Sequence, residues 1–597
     1  MNSMRRRWAQ SDRLNSGTRG QVGFTPSRIL IFAILCGISG PSPSGSSAET
    51  APPASGHPVA QPNILLLVAE DMSPRVGAFG DTVARTPHLD RLASEGVRFP
   101  NVFTTAGVCA PSRAALILGM HQISTGTQHM RTSTRPGGGY FAVPPPEAKA
   151  FPELLRRAGY FTYQHHKLDY QFSGPLSASG PFTIWDAEDN EGQWADRESG
   201  QPFFGMINYM VTHESGLFEP LGTWPRGVFH FLMQAMQAYE RWGWTDSVVT
   251  TDPTHVQIPP YYPDMPEVRA AIARQYDNIQ IMDAQVGDIL ARLEHDHLTE
   301  STIVIWTADH GDGLPRAKRD LYDAGIRVPM IIRWPSALRP EGLRAGETDE
   351  RLISFVDLTA TILSLAGIAL PEHLQGQDFS DPSKPAREFV FASRDRIDDT
   401  VDRQRAVRNE HFKYIRSRHP DLPGGHPSTF RDNLEIMRAL HREFAAGRLN
   451  ADQRRWFEAP GEERLFDLDR DPFELRDVSR DPDYRDELER MREAYAEWRT
   501  RVPDWSDEAE GRMVERFQPN AQRLQTDAPS FSRNANGLVL QSASPGASIG
   551  YRIEGGRWRL YDQPLPLERG RRIEARAIRY GWEESATVDW SEPESHR

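Results

Sequence analysis

Cysteine is nearly absent from this 597-residue chain, which has only 2. That excludes a disulfide framework as a source of stability. Cys36 lies in an apolar segment near the N-terminus, leaving Cys109 as the lone thiol of the body. A lone thiol cannot staple a domain, so packing or chemistry must account for it. An excess of positive charge is lacking too: 69 Lys+Arg against 82 Asp+Glu give a formal net charge of −13. Nucleic acid is thereby disfavoured as a general partner, and a polyanion would need a local basic site. The apolar run Ile29–Gly40, preceded by Arg5, Arg6, Arg7 and Arg28, is too short to span a bilayer comfortably. A Pro/Ser/Gly/Ala-rich tract follows, with small residues at Ser46 and Ala48. The pattern predicts a signal peptide over 1–48 and a linker over 49–60, with an uncleaved anchor as the alternative. The expected destination is the periplasm or the extracellular space, without stable membrane insertion after cleavage. No internal repeat is visible.

What is present reads as a soluble globular chain of more than one domain, with 38% hydrophobic and 25% charged residues. Three continuous apolar runs stand out. Ile64–Val68 ends in Glu70 and Asp71, Thr302–Thr307 in Asp309 and His310, and Phe203–Val211 in His213. Such runs suit strands buried on both faces of a parallel sheet flanked by helices. Ligands collect at the carboxyl ends of such strands, so the three endings predict one shared site. Helical spacing predicts helices over Ile272–Leu293 and Asp357–Ala366. The expected organisation is an α/β domain over 61–387 and a smaller subdomain over 388–505, with a strand near Lys413–Arg416 and a helix over Tyr484–Arg501. A linker over 506–528 would lead to an all-β module over 529–597. In that module Gly537–Gln541, Ile549–Ile553, Trp558–Tyr561 and Ile573–Arg579 alternate apolar and polar residues between turns.

The strongest chemical signal is Cys109-Ala110-Pro111-Ser112-Arg113, followed by Gly119. The stretch Arg113–Leu118 reads as helical, which places position 109 near a helix N-terminus, where anions are favoured. A buried, inert cysteine at a helix start is the other reading. The run resembles the type I sulfatase signature C-x-P-S-R-x-x-x-L-T-G, with Ile117 and Leu118 in place of Leu-Thr. The resemblance implies that a formylglycine-generating enzyme, reading Ser112 and Arg113, oxidises Cys109 to formylglycine. One hydroxyl of the hydrated aldehyde would attack sulfur and expel the alcohol; the other would collapse the intermediate and release sulfate. Arg113 would hold the hydrate and a sulfate oxygen.

The resemblance also implies a divalent cation to offset charge at sulfur. The family's ligands are an Asp-Asp pair, the modified cysteine and an Asp-Asn pair. The matching positions are Glu70, Asp71, Cys109, Asp309 and His310. Carboxylate oxygens point to Ca2+, with Mn2+ or Mg2+ as alternatives, and an imidazole in place of Asn shifts the preference towards Mn2+. Lys167, in His165-His166-Lys167-Leu168-Asp169, resembles the sulfate-binding lysine of Lys-x-His. Asp169 occupies the histidine position, leaving His165 or His166 as substitutes. His213 resembles the first histidine of H-x-P-H, with Gly216 at the second, and would protonate the leaving alcohol. Lys318, four residues before Tyr322, resembles the sulfate-binding lysine of K-x-x-x-Y-E-G-G; Arg316 and Arg319 beside it also admit reading as solvated charges.

The resemblance covers about Gln61 to Val502, including Thr86–Leu92, Gly325–Pro335 and Glu463–Asp477. It implies the α/β/α sandwich of the alkaline-phosphatase superfamily, with a smaller C-terminal sheet subdomain. The tail resembles the immunoglobulin-like C-terminal domain of chitobiases and hexosaminidases, at Ser544–Ala547 and Tyr551–Ile553. The implied substrate is a sulfated carbohydrate, selected by loops such as Gly137–Gly139 and Gly216–Asp252. Two other readings stay open: a phosphodiesterase or phosphonate monoester hydrolase of the same superfamily, which the Asp309-His310 pair would also suit, and an inactive glycan-binding relative.

Overall fold

The computed structural model describes residues 61–591, apart from 136, 189–192 and 568–569. The expected signal peptide, the linker over 49–60 and Cys36 lie outside the described residues. Strands β1 (Asn63–Ala69), β2 (Val97–Phe103), β3 (Phe161–His165), β4 (Ala187–Glu188), β5 (Phe203–Tyr209), β6 (Thr302–Ala308), β7 (Arg327–Arg333) and β8 (Ile353–Ser354) form one sheet. Its order is β4-β3-β5-β1-β6-β7-β2-β8. All strands run parallel except β7, which is antiparallel to both neighbours. Every position of β1, β5 and β6 is buried, as their apolar runs require of central strands covered on both faces. The helices form two mutually packed groups. Pro87–Glu95 lies against Pro266–His295, while Cys109–Leu118 lies against Phe151–Arg157 and Phe355–Leu365. The architecture is the expected mixed α/β sandwich.

Element ends differ from the sequence reading for identifiable reasons. The long helix opens at Pro266 rather than Ile272, because proline at the first helical position needs no hydrogen-bond partner for its nitrogen. The helix expected from Asp357 begins at Phe355, because Asp357 is the third residue of a capping box with Ser354. The β5 strand ends at Tyr209, and a short 3-10 turn, Met210–Thr212, then delivers His213.

A second, antiparallel sheet contains β9 (Val390–Arg394), β10 (Gln404–Arg408), β11 (Phe412–Ser417) and β12 (Glu463–Asp467). The helix Arg485–Arg501 covers it, packing Leu488, Met491 and Ala494 onto Val407, Tyr414 and Leu465. The tail holds the hairpin β13 (Ser530–Asn534) and β14 (Gly537–Gln541). Beside it, β15 (Ser548–Ile553), β16 (Arg559–Leu560), β17 (Arg572–Ile578) and β18 (Val588–Ser591) form a sheet of order β16-β15-β17-β18. Residues 506–528, expected as a linker, contain the helix Glu510–Phe517. Its Met513 and Phe517, one helical turn apart, are buried with Tyr140 and Ala142.

A buried carboxylate fastens the tail to the main body. Glu153, on the helix Phe151–Arg157, accepts from the Ser548 hydroxyl at 2.5 Å, the Tyr580 hydroxyl at 2.6 Å and the Thr183 hydroxyl at 2.8 Å. Burial raises its pKa, but Lys149, Arg157 and the donated hydrogen bonds outweigh this and hold it at about 2. Its stabilising contribution is therefore complete above the unfolded value near 4.5 and is lost as the pH falls towards 2. Glu153→Ala leaves Arg157 and three hydroxyls without their acceptor and removes the charge that faces Lys149, an expected loss of about 3–5 kcal/mol. The checks are a lower melting temperature and new protease cleavage within 506–528. An unchanged digestion pattern would show that Glu153 does not hold the tail.

Candidate active site

Register brings the site together. In the parallel pairs, Ala69 of β1 stands opposite Ala308 of β6 and Tyr209 of β5. The segments Glu70–Asp71, Asp309–His310 and Met210–His213 therefore leave the sheet side by side. The β3 strand pairs with β5 on the other side, and Lys167 follows it. Backbone bonds continue beyond the strands: Asp309 N–H donates to the Ala69 carbonyl at 3.0 Å and Met72 N–H to the His310 carbonyl at 3.0 Å. Asp71 adopts φ +50°, a conformation costly for a residue with a side chain and typical of constrained functional sites.

Cys109 is the first residue of the helix Cys109–Leu118 and has no exposed surface. Its loop meets the loop around 320 backbone to backbone, and the same 320–325 loop meets the one around 311. A Cβ on Gly107 would stand 2.3 Å from the Asp320 carbonyl oxygen, and one on Gly311 would stand 2.0 Å from that of Ala324. Only glycine permits these approaches.

Around Cys109 the expected residues converge. Its Sγ lies 3.3 Å from His310 Nε2 and 3.9 Å from Asp71 Oδ1. His310 Nε2 is 3.0 Å from Asp71 Oδ1 and 3.7 Å from Asp309 Oδ1. Asp71, Cys109, Asp309 and His310 place their ligand atoms within 4.8 Å of one another, as do Glu70, Asp71, Cys109 and His213. Aspartate oxygens with one imidazole nitrogen fit a divalent cation. Lys318 Nζ lies 2.6 Å from Asp71 Oδ2, 3.1 Å from Glu214 and 3.3 Å from His213 Nε2. Lys167 Nζ donates to Glu70 at 2.7 Å. Arg113 is fully buried; it donates to Glu70, to Asp309 at 3.2 Å and to Asn208 at 2.8 Å.

Charge fixes the protonation states. Burial alone would raise the Asp71 carboxyl, but Lys318 and the protonated His310 hold it well below the usual carboxylate range. Glu70 moves the other way: burial and the neighbouring Asp309 and Asp71 raise it against the pull of Arg113 and Lys167. Burial would lower the His310 imidazole, but Asp309 and Asp71 raise it well above its ordinary value, so it carries a proton that a dication would displace. For His213 burial and then Lys318 both act downward, leaving a neutral ring.

The sequence reading missed several members of the network. Arg319, which it left open as a solvated charge, is buried and grips Glu214 with two contacts of 2.8 Å. Arg316 is buried as well, 4.0 Å from the Tyr322 ring centre. Arg131 lies 3.3 Å from Asp169, which in turn lies 3.8 Å from Lys167. Asp169 therefore sits in the ion network, although the family pattern has histidine there. His166 faces Glu240 at 4.0 Å. Asn208 is the one member that left a signal, as a carboxamide inside the apolar run of β5.

A family model described as "Sulfatase" matches residues 62–368. The chain is 38% identical over 559 residues to an ulvan-active sulfatase of Formosa agariphila, covering 89% of this chain and 91% of that one. It is 27% identical over 504 residues to the human N-sulphoglucosamine sulphohydrolase, covering 78% and 95%. Among solved structures, a 2-O GAG sulfatase superposes with a TM-score of 0.51 at 20% identity, covering 76% of this chain and 96% of that one, a likeness of fold. Taken with the acidic, cationic and cysteine side chains gathered at the strand ends, the match over 62–368 and the near full-length identity show that the chain belongs to the sulfatase family and is a sulfuric ester hydrolase.

Proposed function

We propose that the protein is an exported enzyme that removes sulfate from a sulfated polysaccharide, with residue 109 acting as formylglycine beside a divalent cation. The observation that carries this reading is Cys109 buried between Asp71, Asp309 and His310, flanked by Lys167 and Lys318. Ulvan is the first choice of polysaccharide, because the relative named for it matches nine-tenths of both chains.

Asp71, Asp309 and His310, with Glu70 at their side, would hold the cation, Ca2+ by preference. When bound, it would supply positive charge beside sulfur. The chain's own groups do the rest. Burial would lower Lys167 and Lys318, but residue 109 and Glu70 raise the first and Asp71, residue 109 and Glu214 the second, so both stay protonated and are fit to hold sulfate oxygens. Arg113 fixes Glu70 and Asp309 from beneath. His213 is neutral and touches Lys318, so the pair is suited to relay a proton to the departing sugar oxygen, with Lys318 as the charged member.

Three measurements test this. Enzyme co-expressed with a formylglycine-generating enzyme should release sulfate from ulvan oligosaccharides, and its Cys109 peptide should carry the mass of the aldehyde. Release from N-sulfoglucosamine alone would move the substrate assignment, and turnover of only an aryl phosphonate ester would overturn it. His213→Ala should slow desulfation of a sugar about 100-fold while affecting nitrophenyl sulfate less than about tenfold, because a phenolate leaves without a proton; equal losses would remove His213 from the proton path. Dialysis against a chelator should lower the melting temperature, and the ion that restores it identifies the cation.

A further inference from the structure

The helix Val228–Glu240 is turned inside out. His230, Gln234 and Gln237 face the protein interior and are buried, whereas Val228, Phe231, Leu232 and Tyr239 face solvent. Val228, Leu232, the half-buried Ala235, Tyr239 and, in the turn just past the helix end, Trp242 are spaced four, three, four and three apart, the spacing of a seam that packs against another helix. Aromatic side chains bury about 150–250 Å² each. Trp224, Phe229, Phe231, Tyr239 and Trp242, between 47 and 90% exposed, thus present roughly 500–850 Å² before the aliphatic residues are added. That range begins inside the usual largest apolar patch of a monomer, about 300–600 Å², and its upper end reaches the roughly 800 Å² per partner of a stable complex.

The charges of this segment are engaged within the chain. Arg226 pairs with Glu219, Arg241 donates to Asn278 at 2.6 Å, and Glu240 faces His166. An uncharged face on a chain of net charge −13 is ill suited to an anionic lipid surface, which selects basic helices. It is suited to a copy of itself.

We infer that this face is a two-fold interface between two copies of the chain, formed by antiparallel pairing of the two helices. Ala235 is the midpoint of the stripe, seven residues from both Val228 and Trp242. A two-fold axis through Ala235 sets Val228 against the partner's Trp242 and places Leu232 beside the partner's Tyr239, one residue out of exact opposition, small beside large, with the alanine allowing close approach.

Sedimentation velocity of the full enzyme across micromolar concentrations tests the inference. Twice the chain mass is expected. Leu232→Asp and, at the other end of the stripe, Tyr239→Glu should each weaken the dimer about 100-fold or more with unchanged circular dichroism. A wild-type monomer at every concentration overturns the proposal, as does a dimer that tolerates both substitutions. Flotation of a monomeric enzyme with phosphatidylcholine vesicles would also overturn it, in favour of a neutral lipid surface.

Discussion

The register of four neighbouring parallel strands is the constraint on which the rest of the molecule depends. Side chains alternate along a strand, so a slip of one residue in β1 against β6 would turn Asp71 or Asp309 away from the nucleophile position. Register is protected by burial, because every residue of β1, β5 and β6 is enclosed and a slip would have to move all of them. The apolar interior thus aligns the polar site.

The polar cluster is stable because it is paired. Within the ion network, Glu70, Asp71, Asp169, Glu214 and Asp309 are paired with Arg113, Arg131, Lys167, Lys318, Arg319 and the protonated His310. Isolated buried charges each cost several kcal/mol, and pairing with good geometry is what makes their burial tolerable. A dication would then bring positive charge in excess of this balance, suited to an anionic substrate. Many of these groups thus serve placement and charge balance together.

Much of this was legible in the sequence for a simple reason: central parallel strands are written as unbroken apolar runs, and their ends mark the site. Glu70, Asp71, Asp309 and His310 could be placed because each follows such a run. The Glu214–Arg319 and Asp169–Arg131 pairs could not, because their partners meet only when loops far apart in sequence are folded together. The reversed strand β7, inserted between β6 and β2, was hidden for the same reason. Periodicity also has a limit that the Val228–Glu240 segment exposes: it reveals two faces of a helix but not which one turns inward. The linker reading of 506–528 failed where burial of Met513 and Phe517 and the pairing of Glu510 with Arg396 dock a short helix.

The enclosure of Cys109 bears on the order of events during synthesis. A side chain with no accessible surface is out of reach of any modifying enzyme, so the proposed oxidation has to be finished before the chain closes over it. Closure is slow to arrive: β1 is flanked by β5 and β6, which lie well over a hundred residues further along the chain, and pairings of such long range delay folding. The sheet order that builds the catalytic centre would therefore also leave a window in time for the proposed modification to reach residues 109–113. Variants that fold faster around this segment would mature less completely, even with an intact site.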